Sequence, residues 1–286
     1  MRKLLLETFY RLAASGYFPR GWVAGAPPAW SPQPHEDGPL QLEIVSHCWQ
    51  YSWVLTYQLS SLVLHPPERV RLQMTVFYCP EDEPTHRVLE FFGRQSHPNI
   101  TWNWQPLRKE LLFRRAIGRN QAALATRAHW IWFTDCDQVF HHGCLDSLVD
   151  VLARQDGPLV FPREVRCTEL LGLDDPLFRA VADGPSLVDI DSRRFSPVIH
   201  TRAVGALQIV YGDVARDMGY CNSIKFYQEP LTHWQRTFED RTFRWLLGTQ
   251  GEPIDLPGLY RIEHVRKGRR SFRRGSSSLS EESQEG

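Results

Sequence analysis

Long apolar runs are missing from this 286-residue sequence: nowhere does it approach the roughly 20 consecutive hydrophobic residues that a membrane-spanning helix needs. Net charge is missing as well. The 33 basic and 33 acidic side chains cancel, which argues against a global electrostatic partner such as duplex nucleic acid or an anionic membrane. The six cysteines include no C-x-x-C pair, so the spacing of a zinc site or a disulfide framework is lacking. Reduced thiols and a cytoplasmic location are the expectation. Lysine is scarce, occurring only at Lys3, Lys109, Lys225 and Lys267. The basic side chains are therefore almost all arginine, and ten tryptophans accompany them. Arginine grips phosphates through a planar fork and tryptophan stacks on ring faces, a pairing suited to phosphate and sugar ligands.

The first residues open with a basic pair and three leucines, but Glu7 and Arg11 interrupt the apolar stretch. A secretory segment would continue it for about 7–15 residues. Leu5, Phe9 and Leu12 sit at helical spacing, so an amphipathic helix is expected, packed on the body or in peripheral contact with a membrane. An irregular arm rich in Gly, Pro and Ala completes a leading unit, residues 1–40.

Strands and helices then alternate. Leu40–Ser46 and Val70–Tyr78 carry strand patterns, Ser52–Leu64 a helical one that the Pro66-Pro67 pair ends. Thr85–Gln95 is expected to be helical, Ile100–Pro106 a third strand, and Leu107–Ala128 one long helix. Trp130-Ile-Trp-Phe is apolar throughout, as in a strand buried on both faces. Such alternation predicts an α/β fold with a mostly parallel central sheet flanked by helices. Residues 41–140 form its Rossmann-like half and residues 141–265 a second half, with strands at Leu159–Phe161 and Leu207–Val210. In that second half a helix is expected at Thr237–Leu247 and a last short strand region at Leu256–His264. Residues 266–286 lack apolar periodicity and are expected to be a flexible basic tail that could fold over an anionic ligand.

Asp135-Cys136-Asp137 directly follows the buried strand. Residues two apart in a strand point the same way, so both carboxylates face the crevice where open α/β sheets bind ligands. Two hard oxygen donors there suit Mg²⁺ or Mn²⁺. Together with Arg119-Asn120 on the preceding helix, this stretch resembles the GT-A-fold glycosyltransferases, in particular those of the family 2 type. The resemblance implies that Asp137 binds a metal bridging the diphosphate of a nucleotide-sugar donor, with a UDP- or GDP-sugar foremost. It implies that Asp135 touches the ribose or the metal, and that Arg119 and Asn120 line the nucleotide site. Glu239-Asp240 resembles the family's E-D helix. That assigns Asp240 as the general base for an acceptor hydroxyl, with inversion at the anomeric carbon, and Glu239 as an orienting group. His264 matches a late histidine that serves as a further metal ligand. Trp234, Tyr211 and Trp245 are the expected stacking surfaces for a glycan acceptor. The family's acid after the second strand is displaced here, so Glu81 or Asp82 is expected to substitute in donor binding.

Two other readings stay open. Asp135-Cys-Asp-Gln-Val139 and Gly212-Asp213-x-x-x-Asp217 also fit haloacid-dehalogenase-type phosphatases, with Asp135 as nucleophile. Against this, no lysine lies between positions 109 and 225 to neutralise a phospho-aspartate. A non-catalytic nucleotide- or glycan-binding relative of the transferases is the third reading.

Overall fold

The computed structural model describes residues 2–22, 38–172, 174–233 and 238–264. The chain enters through helix α1 (Arg2–Leu12), a wide helical turn at Ala13–Tyr17 and a short turn at Arg20–Trp22. β1 (Leu40–Cys48) follows, buried along almost its whole length, then α2 (Ser52–Leu64). β2 (Val70–Tyr78), α3 (Glu83–Gly93) and β3 (Ile100–Pro106) continue the alternation. Helices α4 (Lys109–Leu112) and α5 (Arg115–Ala125) lead to β4 (Trp130–Phe133). β1 pairs in parallel with β2 and β4, and β2 with β3.

The second half adds β5 (Gln138–Phe140), α6 (Cys144–Leu152), β6 (Leu159–Pro162), β7 (Glu164–Cys167), α7 (Pro176–Arg179), β8 (Ser196–Ile199) and β9 (Gln208–Tyr211). α8 (Gly212–Met218), α9 (Glu239–Leu247), β10 (Glu252–Ile254) and β11 (Leu259–Arg261) complete it. The main sheet has seven strands in the order β10-β6-β9-β4-β1-β2-β3. β9 runs antiparallel to both its neighbours, β4 and β6, while the other pairings are parallel. A smaller sheet, β5-β11-β7-β8, lies beyond the carboxyl end of β4. One continuous sheet therefore joins residues 41–140 to residues 141–265.

The apolar pattern of β4 explains its central place. Trp130, Ile131, Trp132 and Phe133 are all buried, and the Trp132 indole donates to the Ala206 carbonyl at 3.0 Å. Burying each such side chain contributes on the order of 1.5–3 kcal/mol. A buried indole N–H needs that acceptor, or part of the gain is lost.

Three expectations are corrected. The long helix over Leu107–Ala128 is two helices, broken at Phe113 and Arg114, where Arg114 takes φ −95° and ψ 85°. The break lets the Arg114 guanidinium turn onto the rings of Phe226 and Tyr227, at 4.8 and 5.6 Å, and donate to the Glu229 carbonyl. Aromatic faces stabilise a cation enough to compete with one turn of helix. α1 packs through Leu6 and Tyr10, the latter against Phe226 and Tyr227, and leaves Leu5 and Leu12 exposed. The last strand region narrows to β11 plus a bridge between Leu171 and His264. The part of the arm over residues 23–37, Thr237 and the basic tail lie outside the described residues.

Candidate active site

The acidic pair stands at the carboxyl end of β4, and an arginine pair on α5 meets it. The Asp135 carboxylate accepts from Arg115 Nη1 at 2.7 Å and from Arg119 Nη2 at 3.4 Å, while its carbonyl accepts from Gln58 at 2.9 Å. Arg115 and Arg119 are four residues apart, one turn of a helix, so both heads reach the same side. The break before α5 sets that phase: Arg114 points at the aromatic pair, and the next residue points into the crevice.

Arg119 is fully buried and carries the connection onward. Its Nη1 donates to the Tyr220 hydroxyl at 2.9 Å, Tyr220 donates to Gln208 at 2.8 Å, and Gln208 donates to the Asp240 carbonyl at 3.1 Å. A hydrogen-bonded path thus runs from the acids after β4 to the first turn of α9, over one hundred residues later. Asn120 serves that path, because its side chain accepts from the Tyr220 amide at 2.8 Å and donates to Asn222.

Glu239 and Asp240 begin α9, where the unsatisfied amides of a helix start favour negative charge. Glu239 is 1% exposed and neither of its carboxyl oxygens has a hydrogen-bond partner. Burial raises its pKa above the ordinary 4.5, although Arg115, Arg119 and Arg114 pull the other way. Arg115 in turn is held more firmly charged, first by Asp135 and then, against its own burial, by Glu239 and Asp240. Asp240 is more open, with 28% of its side chain exposed and one oxygen 3.8 Å from Arg244 Nη1.

The Glu239 shift has a testable sign. A carboxyl whose folded pKa is raised favours folding in its protonated form, so its contribution is full below 4.5 and is lost as pH rises through the folded value. Glu239→Gln should therefore be more stable than the parent at neutral pH, with the difference shrinking as pH falls through the raised folded value toward 4.5. Urea unfolding from pH 4 to pH 8 reads this directly; an unchanged difference across that range would contradict it.

Asp137 is 6% exposed, and its carbonyl accepts from the Ile262 amide at 3.0 Å, which fastens the end of β11 beside it. Burial would lower the pKa of Arg261, yet Asp137, Cys167 and Glu263 outweigh it and the value is raised. Two residues beyond Ile262, His264 is 3% exposed with its ring against the edges of Tyr51 and Trp53 at 5.1 and 5.0 Å. Among the described residues, Asp135, Asp137 and His264 are not drawn together as one three-ligand group. The group that is drawn together is His65, His141 and Asp189, elsewhere on the molecule.

Other predicted residues fall further from this centre. Asp82 caps α3, accepting from the Thr85 amide and hydroxyl, and also accepts from the Gln50 amide. Its carboxylate thus organises the loops after β1 and β2. Tyr211 pairs with Trp130 at the amino end of β4 and packs edge-on against it at 5.4 Å. It lies three residues along β9 from Gln208, roughly 10 Å, at the opposite end of the sheet from Asp135. Tyr211 is a core residue and is not brought to the crevice. The same register overturns the phosphatase pattern, since Asp213 follows Tyr211, is exposed and pairs with Arg216. Asp135 and Asp213 sit at opposite ends of adjoining strands and cannot share a phosphate. Trp245 lines a cavity on the outer face of α9. Trp234 lies outside the described residues.

The sequence reading missed Arg115, Gln58, Tyr220 and His47. Arg115 carried a signal, its four-residue spacing from Arg119. His47 is 9% exposed, stacks on Phe77 at 5.0 Å, and has no hydrogen-bond partner at either ring nitrogen. Burial, then Arg119 and Arg115, push its pKa well below 6.5, so it is neutral and able both to donate and to accept. Gly118 makes room for it: a Cβ there would come within 2.3 Å of the His47 Nε2.

A mainly parallel seven-stranded sheet with one reversed strand, bearing acids at the carboxyl end of β4, defines the fold: it is that of the GT-A glycosyltransferases. Two solved structures of one protein agree. TarS of S. aureus, residues 1-349 in complex with UDP, is similar with a TM-score of 0.51 at 11% identity, over 78% of this chain and 60% of that one. A further TarS structure gives 0.50 at 10% identity, over 78% and 37%. The mannosyltransferase PcManGT from Pyrobaculum calidifontis, in complex with GDP-Man and Mn²⁺, gives 0.48 at 14% identity, over 94% and 69%. This chain spans less than two thirds of the length of the TarS structures. No protein-family model and no curated protein sequence matches the chain.

Proposed function

We propose that this chain is a metal-dependent, inverting glycosyltransferase of the hexosyl type, moving a sugar from a nucleotide-diphospho-sugar to an acceptor hydroxyl. One observation carries the reading: the buried Arg119 guanidinium reaches the Asp135 carboxylate at 3.4 Å and, through Tyr220 and Gln208, the Asp240 carbonyl, so two distant motifs are tied to one cation. A shared cation between the acids after β4 and the acids of α9 fits a site where a diphosphate and an acceptor must meet.

Asp240 is the general base. It is the open member of its pair, and its neighbour Arg244 compensates its charge while leaving part of the carboxylate accessible. Taking the acceptor proton opposite the departing diphosphate gives inversion. Buried Glu239 orients Arg115 and so shapes the wall between the two substrates. Arg115 faces the donor's diphosphate, and Asp135 holds it in register with the buried Arg119 behind it. His47, neutral and free at both nitrogens, is placed at the end of β1 to hydrogen-bond the donor.

The donor set fits a divalent ion. Asp137 offers a buried carboxylate and His264 a buried imidazole, an oxygen and nitrogen pair that suits Mn²⁺, with Mg²⁺ the alternative. When bound, such an ion stabilises charge on the leaving diphosphate as a Lewis acid. The acceptor is a glycan or another hydroxyl compound. A cytoplasmic site of action accords with six buried thiols, none of them in a disulfide. Peripheral membrane contact accords with the exposed Leu5 and Leu12 of α1.

Titration calorimetry with UDP-, GDP-, dTDP- and CMP-sugars, in Mn²⁺ and in chelator, tests the reading. Binding of one donor in Mn²⁺ and its loss in chelator is the expected result. Failure of all four to bind in Mn²⁺ would overturn it.

A further inference from the structure

Between the turn at Ala13–Tyr17, the loop at Thr201 and Arg202, and the outer face of α9 lies a cavity of about 620 Å³. Four arginines line it, Arg20, Arg202, Arg241 and Arg244, with Trp245 as an apolar wall. No acidic side chain among the described residues is part of that lining. Guanidiniums crowded in this way repel one another unless an anion sits among them. Arg244 shows the strain: burial lowers its pKa, Asp240 counters, and Arg202 and Arg241 push it down again. Burial also lowers the pKa of Arg20, whose Nε is buried without a hydrogen-bond partner.

The fold fixes only one of the four firmly. Arg244 is 4% exposed and is held by the Ala203 carbonyl and by Gln250 at 3.2 Å. Arg241 lies over the Phe238 ring at 5.8 Å. Neither Arg202 nor Arg241 pairs with a carboxylate among the described residues. The cavity also adjoins the chemistry. Arg244 Nη1 is 3.8 Å from the Asp240 carboxylate, and Gly205, three residues after Arg202, faces the Asp240 side chain closely enough that a Cβ there would come within 3.6 Å.

We propose that this cavity seats an anionic group of the acceptor, a phosphate or a carboxylate, next to the hydroxyl that Asp240 activates. The proposal rests on the transferase reading and names its substrate class: an anionic acceptor. Arginine forks match either anion with two parallel hydrogen bonds. The volume lies within the roughly 300–1,000 Å³ of small-molecule sites and exceeds what a bare ion needs, so the sugar or polyol carrying the charge fits too. Trp245 offers that ring a stacking face. The segment that supplies Arg20 also exposes Tyr17 and Trp22. The anion is therefore either that of a soluble acceptor or that of a lipid headgroup, and the experiment distinguishes them.

The parent and the Arg202→Ala/Arg241→Ala double variant would be titrated with inorganic phosphate, glucose 1-phosphate and glucuronate. Both would also be sedimented with phosphatidylcholine vesicles, with and without phosphatidylglycerol. Saturable anion binding by the parent, weakened about tenfold or more in the variant and by added salt, is expected. Arg202→Lys/Arg241→Lys should recover part of the affinity, because it restores charge without the fork. Tighter binding of glucose 1-phosphate than glucuronate assigns phosphate, and the reverse assigns carboxylate. Capture only on phosphatidylglycerol vesicles, lost in the variant, assigns a lipid headgroup. No binding by the parent, or equal binding by parent and variant, would overturn the proposal. Donor binding in Mn²⁺ is read on the same samples, so the transferase reading survives or fails separately. Anion binding by a protein that binds no donor would overturn the assignment to the acceptor.

Discussion

Asp240→Asn is expected to lower turnover by about 10²–10⁴-fold, the range a positioned general base supplies, while leaving donor affinity unchanged. The exchange conserves shape and removes only the ability to take a proton. The backbone carbonyl of residue 240, which anchors Gln208, is untouched, so the path through Tyr220 to Arg119 persists. Steady-state transfer followed by nucleoside diphosphate release, with calorimetry of donor binding alongside, separates the two effects. Turnover close to the parent's would remove Asp240 from the chemistry. A parallel loss of donor binding would show instead that the substitution disturbs the whole crevice.

Asp137→Ala carries the second large effect, and it falls on binding. The variant should bind donor in Mn²⁺ no better than the parent does in chelator, a loss of at least about tenfold. The expectation rests on the depth of this carboxylate and on the Ile262 amide after β11, which fastens to its carbonyl. Truncation also removes charge that Arg261 faces, so folding must be measured too. Parent-like donor binding by a folded variant would place the metal elsewhere, and the His65, His141 and Asp189 group is the place to look.

The sequence made the frame of the crevice legible because its signals are local. An all-apolar β4 can only be a buried strand, and an acid pair directly after it has one crevice to face. The E-D pair was legible as a helix start with two carboxylates. What joins them was not. Arg115 looked like one charge in a long helix, because nothing nearby announced the break at Arg114. That break is decided by Phe226 and Tyr227, over one hundred residues away. Tyr211 went astray for a similar reason. Its aromatic ring and its place after a strand fit a sugar platform, but the direction of β9 was invisible, and direction decides which end of a strand meets the ligand. Asp82 has the right chemistry for a base-reading acid, and its capping role depends on Thr85 and Gln50 together.

The reversed β9 also divides responsibility between loops. In β1, β2 and β4 the segments leaving the strands build the crevice that the proposed function gives to the donor, as in parallel sheets generally. In β9 it is the segment entering the strand, residues 200–207, that reaches the same rim and carries Arg202 and Gly205. Under the proposed function, donor and acceptor recognition hang on connections of opposite polarity, rooted in different strands. Exchanging residues 200–207 for another loop of equal span would re-aim the enzyme at a new acceptor while the machinery that holds the activated sugar stays in place.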